Sequence, residues 1–179
     1  MYSNLLEPLI TSKTRLKLLS RFFLNQNLSG YLQGLSKELE ENSNSIRVEL
    51  NRLEAAGMLS STLEGRRKLY SVNTLHPLAS DITSIVRKVA GIDAVIERVV
   101  ENLPGLKQVW ISGDLTHGVP SDSIDCILIG EELDAAYIAG LSGRVYELLG
   151  KKVNTQVMTE IKGEMVSDSL LVWELNEEE

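Results

Sequence analysis

The amino-acid sequence predicts an α+β protein, and three observations lead to this fold class. Apolar side chains recur at helical spacing up to about residue 57 and are followed by a hairpin signal. A second helical pattern extends from Ile82 to Val100, and short β-rich runs around one amphipathic helix fill the rest of the chain. We therefore expect an N-terminal helical domain with a hairpin at 1–75, a long linker helix at 76–104 and a small mixed α/β domain at 105–179.

Composition is that of an ordinary globular protein. The chain has 179 residues, 43% of them hydrophobic, and no apolar run approaches the ~20 residues that a membrane-spanning helix needs. Its first residues lack the basic, apolar and small-residue regions of a signal peptide, so we expect a cytoplasmic protein without a membrane partner. Cys126 is the one cysteine and the chain has two histidines, so the sequence predicts no disulfide, no metal site and no cofactor.

Charge is distributed unevenly along the chain. The net charge is −7, which by itself argues against a polyanion-binding protein. Residues 1–90, however, contain 12 Lys and Arg against 8 Asp and Glu, a net charge of +4. Residues 91–179 contain 6 against 17, a net charge of −11. Only the first half therefore suits a polyanionic partner.

Two helices and a short strand are expected before the central helix of the N-terminal domain. TSKTRLKLLSRFFLN, at 11–25, begins with cap-competent residues and carries its leucines and phenylalanines on one face. GYLQ can form a short strand, and Leu35 and Leu39 give the next helix an apolar side. Exposed cations on the first helix could contact phosphates or form an ordinary solvated face; they are Lys13, Arg15, Lys17 and Arg21.

The stretch SNSIRVELNRLEAAG, residues 43–57, predicts the helix that this domain presents to a partner. Ser43 is a candidate N-cap, and Gly57 is the matching stop. An apolar stripe along the helix is formed by Ile46, Leu50, Leu53 and Ala56. The remaining surface is formed by Asn44, Ser45, Arg47, Asn51 and Arg52. Side chains of these types can read base edges and phosphates.

A hairpin signal, SSTLEGRRKLYSVN, follows this helix. Strands are expected at 60–63 and 68–72, and the glycine at the tip supplies the positive φ of a tight turn. The tip carries three cations, Arg66, Arg67 and Lys68, which suit a phosphate backbone, although basic tips also serve solubility. Two helices joined by a short turn and followed by a basic hairpin form a winged helix-turn-helix.

On these residues the chain resembles winged-helix transcriptional regulators of the ArsR-like type, from about Thr11 to Asn73. The resemblance implies a transcriptional regulator with double-stranded DNA as its partner. It places the recognition helix, 43–57, in the major groove and the wing, 60–72, on the backbone. It leaves room for a small-molecule effector of unknown identity. Metal-sensing members carry cysteine pairs near the recognition helix, where this chain has none. A winged domain that binds protein instead of DNA is the alternative.

Pro77 indicates the end of the winged domain, because proline disfavours helix at the residue before it. One long amphipathic helix is expected from about Leu78 to Leu103, with Gly91 as its weak point. Its apolar stripe must be buried, either against the C-terminal domain or against a second copy of the chain. A homodimer is the assembly we expect, because it suits two-fold DNA sites.

The stretch VWISGDLTHGVPSDSIDCILIG resembles the core motif of the nucleotidyltransferase superfamily. In active members a strand leads to Gly-Ser, an Asp-x-Asp pair follows on the next strand, and a third carboxylate completes a site for nucleotide and Mg²⁺. Here Gly113 is followed by Asp114 in place of serine. Ser123 stands where the first carboxylate would be, and Asp125 is retained. Asn154 occupies the expected position of the third carboxylate.

These departures predict a degenerate nucleotide site without catalysis, and hence a regulatory or assembly role for the C-terminal domain. One carboxylate cannot supply the charge that three provide. The alternative is an active nucleotidyltransferase or antitoxin-like enzyme that uses the winged domain for docking. Cys126, inside an apolar strand, is expected to be a small core residue.

Overall fold

The computed structural model describes residues 10–117, 119, 121–166 and 168–175, and it confirms the α+β fold class. The chain forms two compact units, one built mainly of residues up to Arg87 and one built mainly of residues from Lys88 onward. Each unit has its own helices and its own sheet. Among the described residues, no helix combines the length and apolarity required to cross a bilayer.

The N-terminal unit packs helices against a small antiparallel sheet. Its elements are α1 (Lys13–Phe23), β1 (Ser29–Tyr31), α2 (Leu32–Glu38), α3 (Ser43–Ala55), β2 (Leu59–Glu64) and β3 (Arg67–Val72). The strand order is β1-β3-β2, and Tyr70 lies between Gly30 and Ser61 of its two neighbours. The predicted hairpin is therefore present, with both strands one residue longer at the tip and β2 one residue longer at its start as well. The first strand is also present, at 29–31 instead of the predicted 30–33.

Helix α3 begins one residue away from the cap that the sequence suggested. Asn42, not Ser43, is the N-cap, because its side-chain oxygen accepts a hydrogen bond of 2.8 Å from the backbone N–H of Asn44. At the other end Gly57 has φ +73°, and the N–H of Met58 bonds to the carbonyl of Leu53. This left-handed stop is the one that the glycine predicted.

The core of the N-terminal unit is built from the apolar faces of the three helices. Ile46, Leu50 and Leu53 are buried as predicted, but Ala56 is exposed because the helix has ended there. The fully buried side chains that surround this stripe are Leu18, Phe22, Phe23 and Leu35. Their burial fixes which side of α3 faces outward.

The single linker helix expected from Leu78 to Leu103 is two helices, α4 (Ala79–Ala90) and α5 (Ile92–Asn102). Gly91 separates them with φ +85°, a left-handed conformation that a continuous α-helix does not contain. Glycine adopts this conformation at little cost, so the predicted long helix is interrupted at Gly91. On α5, Ile92, Val95 and Val99 are fully buried, whereas Ile96 and Val100 are partly exposed.

The C-terminal unit is a four-stranded mixed sheet with helices. Its elements after α5 are β4 (Leu106–Ser112), a 3₁₀ turn (Gly113–His117), β5 (Ser123–Gly130), α6 (Ala135–Leu149), β6 (Lys152–Met158), α7 (Gly163–Val166) and β7 (Ser169–Glu174). The order is β6-β5-β4-β7, with β5 and β6 parallel and joined through α6, and the other pairs antiparallel. The last strand lies at an edge of the sheet, and Cys126 is a buried core residue, as predicted.

Candidate functional sites

A groove of about 540 Å³ lies on the N-terminal unit between α3, the β2–β3 hairpin and the junction of β1 with α2; we call it the basic groove. Its lining includes four cations and no carboxylate. The lining residues are Tyr31, Leu32, Gln33, Gly34, Arg47, Asn51, Arg66, Arg67, Lys68 and Tyr70.

Five of the eight residues predicted to contact DNA line the basic groove: Arg47, Asn51, Arg66, Arg67 and Lys68. The first two lie one helical turn apart on α3, and the other three come from the hairpin. The tight turn at Gly65, with φ +63°, directs the hairpin tip that carries Arg66.

The other three predicted residues lie on α3 outside the groove lining. Asn44 and Ser45 are exposed in the first turn, and Asn44 Oδ1 is 3.4 Å from a guanidinium nitrogen of Arg47. Arg52 donates a hydrogen bond of 3.1 Å to Glu49. Of the residues predicted to contact DNA, five therefore line the basic groove and three lie beside it on α3.

Two hairpin cations have defined partners within the unit. The guanidinium of Arg67 lies 4.6 Å from the ring centroid of Tyr31, whose hydroxyl donates a hydrogen bond to the carboxylate of Glu64. This hydrogen bond raises the pKa of Tyr31. Lys68 Nζ lies 3.0 Å from both carboxylate oxygens of Glu54, and these bonds raise the pKa of the lysine.

Three of the four α1 cations, Arg15, Lys17 and Arg21, are paired within the unit and do not form the exposed basic face that was one of the two expectations, whereas Lys13 is exposed. Arg21 is buried and its Nε lies 2.7 Å from Glu38, while Lys17 Nζ lies 2.7 Å from Glu41. The physical reason is tertiary pairing: α1 packs beside carboxylates of the following helices. These charges are neutralised within the unit instead of facing a partner.

Glu49, on α3, also pairs with a cation of α1. Its buried carboxylate accepts hydrogen bonds from Ser12 Oγ at 2.9 Å, from Arg15 Nε at 2.8 Å and from Arg52 Nη1 at 3.1 Å. Burial acts to raise the pKa of Glu49, but the hydrogen bonds from Arg15 and Ser12 outweigh it, and the pKa lies below its usual value.

Sequence reasoning missed the uncharged members of this surface. Tyr31 and Gln33 line the basic groove, although the sequence predicts only a short strand in their segment. Val48 is 41% exposed on α3, between the levels of Arg47 and Asn51. Val48 could have been identified from the sequence, because it is an apolar residue outside the buried stripe of an amphipathic helix.

A second cluster lies in the C-terminal unit, where β4 ends and the neighbouring parallel strands β5 and β6 begin; we call it the strand-end site. Asp125 is in register with Ser112 on one side and with Asn154 on the other. Asn154 Nδ2 donates a hydrogen bond of 2.7 Å to Asp125 Oδ1. Gly113, at φ +72°, leaves so little space that an added Cβ would lie 2.8 Å from Asp125 Oδ2. The register thus brings together Gly113 and Asp125, which match the motif, and Asn154, which stands at the expected position of its third carboxylate.

Ser123 and Asp114, the two other residues of the predicted nucleotide site, lie at the periphery of the strand-end site. Ser123 lies two positions before Asp125 and so on the same face of β5, with its hydroxyl 3.3 Å from that of Ser121. Asp114 is exposed in the 3₁₀ turn. The described residues contain no group of three His, Cys, Asp or Glu side chains arranged to hold a metal ion.

One cation near this site was not anticipated. Lys151 Nζ donates a hydrogen bond of 2.9 Å to the carbonyl of Ser121, and burial lowers the pKa of this lysine against the opposing influence of Asp122. Burial raises the pKa of the Cys126 thiol to about 12, with a smaller contribution from Asp125. The thiol is therefore protonated at neutral pH and suits a core position.

The chain was compared with family models, curated proteins and solved structures. No family model and no curated protein matches the chain. Two solved structures resemble part of it: a toxin-antitoxin complex with AMP-PNP, at 16% identity and a TM-score of 0.41, and a complex of a tri-AMPylated HEPN toxin from Shewanella oneidensis with MNT antitoxin, at 15% and 0.39. The alignments cover 47% and 50% of this chain and 73% of each matched chain. Both scores lie below 0.5, so neither likeness bears on the function of this chain.

Proposed function

We propose that this protein is a DNA-binding transcriptional regulator whose N-terminal unit is a winged helix-turn-helix. In this proposal α3 enters the major groove and the β2–β3 hairpin contacts the phosphate backbone. The observation that carries the proposal is the basic groove, which combines cations of the helix and of the hairpin with no carboxylate in its lining. A concave surface of this charge attracts a polyanion.

The distribution of ion pairs in the same unit supports this proposal. Arg15, Lys17 and Arg21 on α1 are paired with carboxylates of α2, α3 and the loop between them. Arg47 and Arg66, by contrast, are exposed around the groove. The cations of α3 and the hairpin that line the basic groove are thus clustered on one side, whereas the exposed Lys13 and Lys37 lie outside the groove lining.

The exposed face of α3 carries side chains that suit the base edges of the major groove. Arginine can bond to guanine through two donors, asparagine can bond to adenine through its amide, and an apolar side chain can contact a thymine methyl group. Arg47, Asn51 and Val48 supply one of each within a single helical turn. Asn44, Ser45 and Arg52 would flank this reading set.

The C-terminal unit, in this proposal, is nucleotidyltransferase-like and does not catalyse transfer. A site of that class needs several oxygen ligands with negative charge to hold its divalent cations. Asp125 instead accepts a hydrogen bond from the neutral amide of Asn154. We assign this unit a role in regulation or assembly, and a homodimer as the form that binds two-fold DNA sites.

Selection from a labelled pool of genomic fragments, followed by footprinting, tests the proposed function. We expect recovery of fragments that share a sequence, with protected half-sites separated by about one helical turn, roughly 10 base pairs, or a multiple of it. Recovery of no fragments at physiological salt would favour the protein-binding alternative. Equal recovery of all fragments, lost as salt is raised, would indicate electrostatic attraction without recognition.

A further inference from the structure

Helix α4 has two sides with different environments. On one side Ala79 and Val86 are buried, and the hydroxyl of Thr83 accepts a hydrogen bond of 2.7 Å from Gln26, which joins this side to the N-terminal unit. The neighbouring side carries a second apolar row, in which Leu78 is 49% and Ile85 is 44% exposed. Ile82 and Val89 complete this row and are partly exposed.

The spacing of the exposed row is that of a coiled-coil seam. Leu78, Ile82, Ile85 and Val89 are separated by four, three and four residues, which is the alternation of d and a positions in a heptad. Leu78 precedes the first residue of α4, but its carbonyl accepts the N–H of Ile82 at 3.0 Å, so the helical path includes it. A row of this kind excludes water when a second helix covers it.

We propose that α4 pairs antiparallel with α4 of a second copy of this chain. A single register then fills every layer of the seam: Ile82 faces the partner's Ile85, and Leu78 faces the partner's Val89, each twice by two-fold symmetry. The interface is isologous, so it closes at two copies and presents two N-terminal units. The inference specifies the homodimer of the proposed function and does not depend on DNA binding.

Charge complementarity selects the antiparallel arrangement. Asp81 and Lys88 are exposed, lie seven residues apart on the outer border of the seam, and occupy the g positions of the heptad. In the register that fills the four layers, an antiparallel pair places Asp81 beside the partner's Lys88 at both ends. In a parallel pair each g position faces an e position of the other helix, and the e positions here are Ala79 and Val86, which are buried and uncharged.

The short length of the seam sets the expected strength of the dimer. Twelve residues of α4 extend over roughly 18 Å, about three helical turns, which is small for a permanent interface. We therefore expect a reversible dimer whose population depends on protein concentration. Reversing both charge contacts from attraction to repulsion should weaken dimerisation by about tenfold or more.

Sedimentation equilibrium over a range of protein concentrations tests the pairing. Ile85→Asp should give a folded monomer, because the side chain is exposed in the single chain, and its circular-dichroism melting curve would establish the folding. Asp81→Lys and Lys88→Asp should each weaken self-association. Ser80→Lys, at an exposed position of α4 away from the seam, is the matched control and should leave the dimer unchanged.

A mixing experiment is specific for the antiparallel register. The Asp81→Lys chain and the Lys88→Asp chain should each be largely monomeric alone. Mixed together they should form a heterodimer of unmodified strength, since every charge contact is then again between opposite signs. Failure of the mixture to dimerise, a dimer that persists with Ile85→Asp, or a monomer of the unmodified chain at every concentration would overturn the proposal. A DNA-binding defect in a variant that still dimerises would concern the proposed function alone.

Discussion

The side-chain amide of Asn154 donates a 2.7 Å hydrogen bond to Asp125 across two parallel strands that are in register. The geometry is that of two neighbouring ligands, but one of them is a neutral donor. An amide satisfies the carboxylate directly, whereas two carboxylates at this distance would repel each other without a cation between them. The strand-end site thus holds one carboxylate hydrogen-bonded to an amide in place of two neighbouring carboxylates.

From this pairing we predict that the protein does not bind nucleoside triphosphates with Mg²⁺ or Mn²⁺ in the micromolar range. Asp125 alone leaves most of the coordination shell to water, and Asp114 adds negative charge in the turn where the phosphates would lie. Calorimetric titration of each nucleotide checks binding, and a labelled-nucleotide assay checks transfer. Tight binding, or transfer that Asp125→Ala abolishes, would favour the nucleotidyltransferase alternative.

Gly113→Ala should destabilise the C-terminal unit by about 1–2 kcal/mol or more, because a left-handed residue with a Cβ is strained. The new Cβ would in addition lie 2.8 Å from Asp125 Oδ2. Thermal or urea unfolding measures the change. Gly143→Ala is the matched control: this glycine is in α6 with no atom near the added Cβ, so alanine should stabilise by roughly 0.5–1 kcal/mol. Equal effects of the two substitutions would contradict the prediction.

For DNA recognition, Arg47→Ala and Asn51→Ala should each weaken binding to a selected sequence by about 1–3 kcal/mol, because each removes a contact to a base edge. Arg66→Ala should weaken all sequences alike and reduce the salt dependence, since a phosphate contact carries no sequence information. Fluorescence anisotropy at several salt concentrations measures both effects.

Lys37→Ala is the control for this series, since it removes an exposed cation that does not line the basic groove. Binding that is unchanged by Arg47→Ala, Asn51→Ala and Arg66→Ala, or reduced equally by Lys37→Ala, would remove the groove from the proposal.

Glu49 should make the stability of the N-terminal unit depend on pH. Its folded pKa is depressed, so the carboxylate contributes fully above its ordinary value of 4.5, and the contribution is lost as pH falls through the folded pKa. Glu49→Gln should therefore lower the free energy of unfolding at pH 7 by roughly 1.5–3 kcal/mol, the scale of hydrogen bonds to a charged group.

Denaturant titrations at pH 7 and below pH 4 measure this difference, which should shrink in acid. Glu97→Gln, at an exposed position of α5, is the comparison and should change little at either pH. A Glu49→Gln deficit that stays constant down to pH 3 would show that the charge of the carboxylate is not its cause.

Periodicity in the sequence predicted much of the fold. The spacing of Ile46, Leu50 and Leu53 identified the buried side of α3, and alternation identified the strands on either side of the hairpin turn. Gly57 marked the end of α3 because few other residues adopt its positive φ. These signals are local, so they can be read without knowing the tertiary structure.

Tertiary contacts account for what the sequence could not reveal. Glu49 and Arg21 are charged, and charged residues are normally assigned to the surface, but the packing of α1 beside α2 and α3 pairs and buries them. Asn42 and Ser43 are both competent caps, and only the backbone path distinguishes them. Tyr31 lies far in sequence from the hairpin cations, so its place in the basic groove depends on the pairing of β1 with β3.

For the candidate strand-end site, the residues could be identified from the sequence by their order and spacing in the motif. The direct hydrogen bond between Asp125 and Asn154 could not be foreseen, because it requires β5 and β6 to be parallel and in register although the two residues are 29 positions apart in the sequence. The proximity of Lys151 to Ser121 depends on the same pairing.

The stacking of Arg67 on Tyr31 also affects the entropy of binding. A free arginine samples many rotamers and loses up to about 2 kcal/mol of conformational freedom when a ligand fixes it. The guanidinium of Arg67 is already held 4.6 Å from the ring centroid, so part of that loss has been incurred during folding. An anionic ligand that meets Arg67 finds a preorganised donor, whereas Arg66, exposed beside it on the tip, must be ordered at the moment of contact.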